Sequence, residues 1–488
     1  MVWQGRYDKL FIGGSWVDPT HPEKISVVSP FTEQPIAEVV HASEADADRA
    51  VAAAREAFDH GPWPRMRLDE RMDVLRRLSV QMQEREEDIA ELVTAEMGCP
   101  ISLSRTMQSR NPRVLIDSYL EFTPDYPWSE VRRSSTGQAL VTREPIGVVT
   151  AITPWNAPLM SVIIKAVPAL LAGCTLVVKP SSEAPLSSYM FAEMLLEAGF
   201  PEGVVNILPA GRRVGEHLVR HPGVDKVSFT GSTEGGRKIA SLCGYDLKRV
   251  TLELGGKSAA VILDDADMDV AVESIRTLSL RNSGQTCSNK TRILVSPRRE
   301  AELKDRLVAA IQAMSVGDPT DPKTQIGPLV AERQRGRVEG YIDAGKVEGA
   351  KVLVGGGRPA DLDHGWFVQP TIFTDVDSSM RIAQEEIFGP VLTVQAYRDE
   401  DEAVAIANDS PYGLSGSVFS TDDERALAVA RRIRTGTVEL NGKPVGWSAP
   451  VGGVKCSGMG REAGPEGFDA YVELKSYGLT DSLAKSLS

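Results

Sequence analysis

Short apolar runs alternate with longer amphipathic segments along most of the chain. Residues 42–58 and 68–97 carry apolar positions at helical spacing in sequence rich in Ala, Glu and Arg, which predicts helices. From Ile146 onward the pattern changes. GVVTAIT, CTLVVKP, GVVNILP and DKVSFTGS are nearly continuous apolar runs, as expected of parallel strands covered on both faces. Segments 158–171, 185–198 and 232–242 lie between them and predict helices. A second such series begins after Gly255 with SAAVILDDAD, passes through helices at 268–280 and 299–314, and adds KVLVGG and PVLTVQAY as strands. The alternation implies a doubly wound α/β architecture in more than one unit.

Two stretches depart from this rhythm. PDYPWSEVRRSSTGQALVTREP, within 123–145, predicts two short polar strands around a Ser-Ser-Thr-Gly turn. A two-stranded arm is unstable alone, so it should pack on another part of the chain or on a second subunit. The most membrane-like window, Leu159 to Val178, holds Lys165, Pro168 and Gly173. A spanning helix would carry a buried charge and two interruptions, so a buried helix followed by a buried strand is expected. The start, MVWQGRYDKLFIGGSW, does not read as a secretory leader.

Composition adds exclusions. A length of 488 residues implies more than one domain, and 42% hydrophobic with 25% charged residues is ordinary for a globular protein. A formal net charge of -13 disfavours nucleic acid and anionic membranes as partners. The cysteines, at 99, 174, 243, 287 and 456, are odd in number and form no C-x-x-C pair. Neither a disulfide framework nor a metal site is expected, and a reducing cytoplasm fits best.

Candidate chemistry lies in four places. RNSGQTCSNKTR sets Cys287 in a glycine-containing polar run, where a thiol is exposed enough to react; an inert thiol is the alternative. TLELGGKSAAVI puts Glu253 at the end of an apolar strand, as a general base or as one half of an ion pair. TPWNAPL follows a buried strand and stiffens Asn156 between prolines, as an oxyanion donor or as the cap of the next helix. FTGSTEGGRKI follows a strand and opens a helix whose free N–H groups suit a pyrophosphate, although its spacing is not G-x-G-x-x-G.

TPWN, VVKPS, FTGSTEGG, LELGGKS, GQTCSNKTR, EEIFGPV and GGVKCSGMGRE together, in this order, resemble the aldehyde dehydrogenase superfamily from about Asp8 to Tyr477. The resemblance implies oxidation of an aldehyde to a carboxylic acid with NAD or NADP. Cys287 would be the nucleophile, Asn156 with the Cys287 N–H the oxyanion hole, and Glu253 the base that activates water. Lys165 and Glu473 would relay protons. Ile152, Thr153, Pro154, Trp155, Lys179, Ser182, Phe229, Gly231, Ser232, Gly236, Glu386 and Phe388 would hold the cofactor, with Glu386 on the nicotinamide ribose and Phe388 on the ring. It also implies a dinucleotide-binding domain (1–122 and 146–254), a catalytic domain (255–455), and an oligomerisation arm with the C-terminal tail (123–145 and 456–488), in a homodimer or homotetramer.

Two departures from the family pattern carry expectations of their own. Ser182 stands where NAD-preferring members often have glutamate, which favours acceptance of NADP. Ala157, Ile164 and Val451 stand at aromatic wall positions, which argues against a quaternary ammonium substrate and for medium-chain or aromatic aldehydes. A CoA-acylating relative and a catalytically silent protein on the same scaffold are the alternatives; Glu253 argues against the first, and the joint presence of Cys287, Glu253 and Asn156 against the second.

Overall fold

The computed structural model describes residues 4–487, and among these the strands form sheets of eight, seven, three and two strands. The apolar runs fold as their pattern requires. Val148–Ile152 and Thr175–Lys179 are buried at every position, because helices cover both faces of the first sheet. Its parallel strands lie in the order Arg249–Glu253, Lys226–Thr230, Val148–Ile152, Thr175–Lys179, Val205–Ile207. Antiparallel additions close each edge: Leu10–Ile12 and Ser15–Val17 on one side, Gly458–Met459 on the other. The second sheet centres on Ala259–Ile262, paired in parallel with Arg292–Val295 and Gly416–Phe419.

The membrane-like window resolves into helix Pro158–Ala172 and strand Thr175–Lys179, both buried. A helix apolar on every side belongs in a core; it starts with Pro158 in its first turn and stops at left-handed Gly173 (φ 98°). Among the described residues, no helix is long and apolar enough to cross a membrane.

Two helices differ from the sequence expectation. The helix expected over 68–97 is two, Leu68–Glu84 and Glu86–Met97, parted at Arg85 (φ −105°, ψ 18°). The helix over 268–280 is α-helical only as Met268–Ser274 and then widens into the π turn Ile275–Ser279. The polar arm, Ser129–Ser134 and Gly137–Pro145, gains a third strand from the same chain, Val472–Gly478, in antiparallel register. The stretch ahead of that strand does not extend the arm. Gly458–Met459 joins the first sheet, and Ala463, Phe468 and Tyr471 enter its core, because these apolar side chains are buried there.

Candidate active site

Four parallel strands end at one edge of the first sheet. Ile152 leads into Thr153, Pro154, Trp155 and Asn156, while Lys179, Thr230 and Glu253 end the neighbouring strands. The strand order reverses between Val148–Ile152 and Lys226–Thr230, and loops diverging at such a point leave a crevice outside the carboxyl ends.

The cysteine loop meets this edge from the second unit. Asn282, Ser283 and Gly284 take left-handed backbone in succession (φ 55°, 55° and 77°). Short polar residues tolerate that conformation. At Gly284 glycine is also required sterically, because a Cβ there would lie 2.0 Å from the Gly389 carbonyl oxygen. The turn returns the chain to Asn156, whose Nδ2 donates to the Gln285 carbonyl at 3.0 Å. Asn156 does not cap the following helix; Ala157 occupies that position, with no side-chain cap bond.

Cys287 keeps partial exposure, whereas Cys99, Cys174 and Cys243 are buried. Burial, then the nearby carboxylates of Glu386 and Glu253, push its thiol up to about 12, with Arg281 pulling the other way. Glu253 is buried and has no ion-pair partner; its Oε1 lacks any hydrogen-bond partner among the described residues. Burial, reinforced by Glu462, raises its carboxyl well above the usual range against the pull of Lys165 and Arg461.

The strand end after Glu253 passes between two of these groups. A Cβ on Gly255 would lie 2.4 Å from Glu386 Oε2, and one on Gly256 would lie 2.6 Å from the Cys287 carbonyl oxygen. The glycine pair therefore lets backbone, carboxylate and thiol loop approach closely. Gly256 N–H donates to Glu386 Oε1 at 2.9 Å, and burial pushes Glu386 up to about 7. Phe388, at φ 62°, sets its ring edge-on to Trp155 with centroids 5.4 Å apart.

Along the crevice, Ser232 caps helix Thr233–Tyr245, its Oγ accepting from Gly235 N–H at 3.2 Å. Phe229 lies over the Gly231 turn, and Gly236 packs against Leu254. Lys179 is buried, bonded to the Pro180 carbonyl at 3.1 Å and lowered to about 8 by desolvation. Ser182 donates to the Ala210 carbonyl at 3.3 Å, and Glu183 is turned to Arg333 and Ser181. Glu183 still acts on Lys179 through space, while its oxygens are engaged by Arg333 and Ser181.

The Lys165 partner is the main correction. Lys165 is fully buried and pairs with Glu462, and it also donates to Thr230 Oγ1 at 2.7 Å. Glu473 lies instead on the outward strand Val472–Gly478, paired with exposed Arg249 at 2.6 Å. Glu462 closes the GGVKCSGMGRE motif, so a signal for it was present in the chain, but its depth was not. Gln108 and Asn282 were also missed; both donate to the Asn156 carbonyl, at 3.0 and 3.1 Å. Among the described residues no group of three His, Cys, Asp or Glu is placed to hold a metal.

Comparison with known proteins agrees over nearly the whole molecule. A model of the aldehyde dehydrogenase family matches residues 16–477. A geranial dehydrogenase of Castellaniella defragrans is 47% identical over 471 residues, covering 96% of this chain and 98% of that protein. A 3-succinoylsemialdehyde-pyridine dehydrogenase of a Pseudomonas species is 44% identical over 474 residues, with 96% and 98% covered. The fold superposes on a Mycobacterium tuberculosis aldehyde dehydrogenase complexed with NAD+ with a TM-score of 0.96, at 46% identity, over 97% of this chain and 98% of the other. It also superposes on a Pseudomonas syringae aldehyde dehydrogenase C variant complexed with NAD+ and octanal (TM-score 0.94, 43% identity, 96% of each chain).

Proposed function

The chain belongs to the aldehyde dehydrogenase family, and on that premise we propose that it oxidises apolar aldehydes to acids by a hydrolytic route that runs through Cys287. The observation that carries this reading is the convergence of the Cys287 loop, the Asn156 amide and the unpaired Glu253 carboxylate at one crevice.

The residues fit a dinucleotide. The capped helix start at Ser232 offers N–H groups to phosphate, the buried Glu386 carboxylate has accepting capacity left for ribose hydroxyls, and Trp155 and Phe388 offer aromatic faces. A nicotinamide held there would supply the acceptor for the hydride that leaves the aldehyde carbon. The Cys287 thiol gives its proton to water in the crevice as its sulfur bonds to that carbon, and the carbonyl oxygen becomes an oxyanion facing the second N–H of Asn156 Nδ2 and the Cys287 backbone N–H. Loss of hydrogen leaves a thioester on Cys287. Glu253, whose proton affinity is raised by burial, activates the water that hydrolyses it. The Lys165–Glu462 pair holds charge beside Glu253 and passes the proton onward.

For the aldehyde, Ile164 belongs to the apolar core of the first unit, and Ala157, Trp447 and Val451 pack against that core. An apolar wall of this kind suits a medium-chain, terpenoid or aromatic aldehyde; relatives are named for geranial and crystallised with octanal. The corner at Lys179, Ser182 and Arg212 has cationic and hydroxyl groups for a 2′-phosphate, so NADP is accepted alongside NAD. For assembly, the arm sheet leaves Leu474 and Tyr477 exposed, with Leu483 and Leu487 on the following helical segment. Leu474 and Tyr477 alternate to opposite faces of their strand, and a second copy packed on the arm would form the dimer.

The test is a panel of octanal, geranial, benzaldehyde and betaine aldehyde, each with NAD and NADP, with and without CoA. Octanal and geranial should lead, CoA should not be consumed, and both cofactors should be reduced. Preference for betaine aldehyde would overturn the substrate reading, acyl-CoA formation the hydrolytic one, and NAD preference above about a thousandfold, ~4 kcal/mol, the cofactor one.

A further inference from the structure

Behind the thiol lies a cluster of side-chain amides. Gln108, Asn282 and Gln285 are fully buried, and Asn156 is 7% exposed. Asn282 Nδ2 donates to two carbonyls, those of Asn156 at 3.1 Å and Gln285 at 3.3 Å. The same Gln285 carbonyl accepts from Asn156 Nδ2 at 3.0 Å, and the same Asn156 carbonyl accepts from Gln108 Nε2 at 3.0 Å. Gln285 in turn donates to the Asn282 carbonyl at 3.2 Å and accepts from Val330 N–H at 3.0 Å. Gln108 comes from the π turn Ser104–Arg110, an irregularity that turns its side chain under the Asn156 loop.

We propose that Asn282 is a positioning residue that sets the direction of the free Asn156 N–H by clamping the Asn156 loop to the Cys287 loop. The proposal rests on the reading of Asn156 as an oxyanion donor. A primary amide has two N–H groups. One from Asn156 is committed to the Gln285 carbonyl, so the direction of the other follows from where the Asn156 backbone and the Gln285 carbonyl sit. Asn282 grips both of those points with a single NH2 group. The two loops leave different sheets, so this clamp spans the crevice floor without touching substrate. Donors must lie within a few tenths of an ångström of the forming charge to act fully. Asparagine meets both local demands: it tolerates φ 55° and supplies two donors and no charge. Aspartate at 282 would set a carboxylate against two carbonyl oxygens.

The test compares Asn282→Gly, Asn156→Ala and the double variant with octanal and NAD. Glycine removes the amide while accepting the left-handed backbone, and each carbonyl keeps its second donor, so a native-like melting curve is expected. Asn282→Gly should lower kcat on the order of tenfold, equivalent to ~1.4 kcal/mol. The KM for NAD should stay unchanged, and so should the rate of Cys287 alkylation by iodoacetamide, which develops no oxyanion. The loss should vanish in the Asn156→Ala background, since no N–H remains to direct. An undiminished kcat, or the same fold-loss in both backgrounds, would overturn the proposal. Full activity of Asn156→Ala alone would instead remove the oxyanion reading beneath it. If Asn282→Gly fails to fold, Gln108→Ala decides by the same cycle: coupling to Asn156 supports the clamp, and independent losses overturn it.

Discussion

Glu462 and Glu473 come from the same C-terminal stretch, and each forms an ion pair with a basic residue of the dinucleotide-binding half. Glu462 meets Lys165 with side-chain exposures of 6% and 0%, whereas Glu473 meets Arg249 with 42% and 65%. In the first pair water is excluded, so each charge acts strongly on its neighbours, Glu253 among them. In the second, solvent and salt screen the attraction and little reaches the interior. The same chemical pairing thus acts on a buried carboxylate in one place and lies on the surface in the other, and depth separates them.

The largest effect that would sharpen this contrast concerns the carboxylate at the end of the buried cluster. Glu253→Gln should slow steady-state turnover by about 10²–10⁴-fold while sparing the first turnover, read as a burst of reduced cofactor in stopped flow. A full steady-state rate would break the link between the cluster and hydrolysis.

Next comes the pair itself. Glu462→Gln strands the Lys165 ammonium in the interior, at a cost of ~3–5 kcal/mol in chemical denaturation, and slows hydrolysis. Replacing both partners, Lys165→Met with Glu462→Leu, should restore stability without restoring turnover. Recovery of both together would show that the pair serves the fold alone.

A smaller effect tests burial in another carboxylate. Glu386, pushed up to about 7, is mostly protonated below that pH and ionised above it. A neutral acid accepts ribose hydroxyls less well, so NAD binding should tighten as pH rises, by about tenfold from pH 6 to pH 8 if only the carboxylate binds. Fluorescence titration measures it, and Glu386→Gln should flatten the profile.

The smallest effect belongs to the exposed pair. Glu473→Gln should change stability by less than about 1 kcal/mol, and only at low salt, with kcat unaltered. A large loss of kcat would return Glu473 to the proton route and erase the contrast.

How far the chain could be read follows from the range of each signal. Val148–Ile152 and Thr175–Lys179 announce themselves because a strand buried on both faces must be mostly apolar. The Met268–Ser274 helix ran on too far in the sequence reading because a π turn keeps helical composition while changing only the hydrogen-bond step. The break at Arg85 was equally silent, since no proline or glycine marks it. Cys287, Asn156 and Glu253 stood out because each sits in a local pattern that a core position does not need.

What the sequence determined by itself was the alternation that makes two α/β units and the motif positions that place reactive side chains at strand ends and turns. These depend on neighbours along the chain. Tertiary structure decided which carboxylate faces Lys165, that Glu253 is left without a partner, and that Asn282 and Gln108 close on Asn156. Those are matters of depth and of contact between segments distant in sequence, and both arise only when the chain folds and excludes water from its interior.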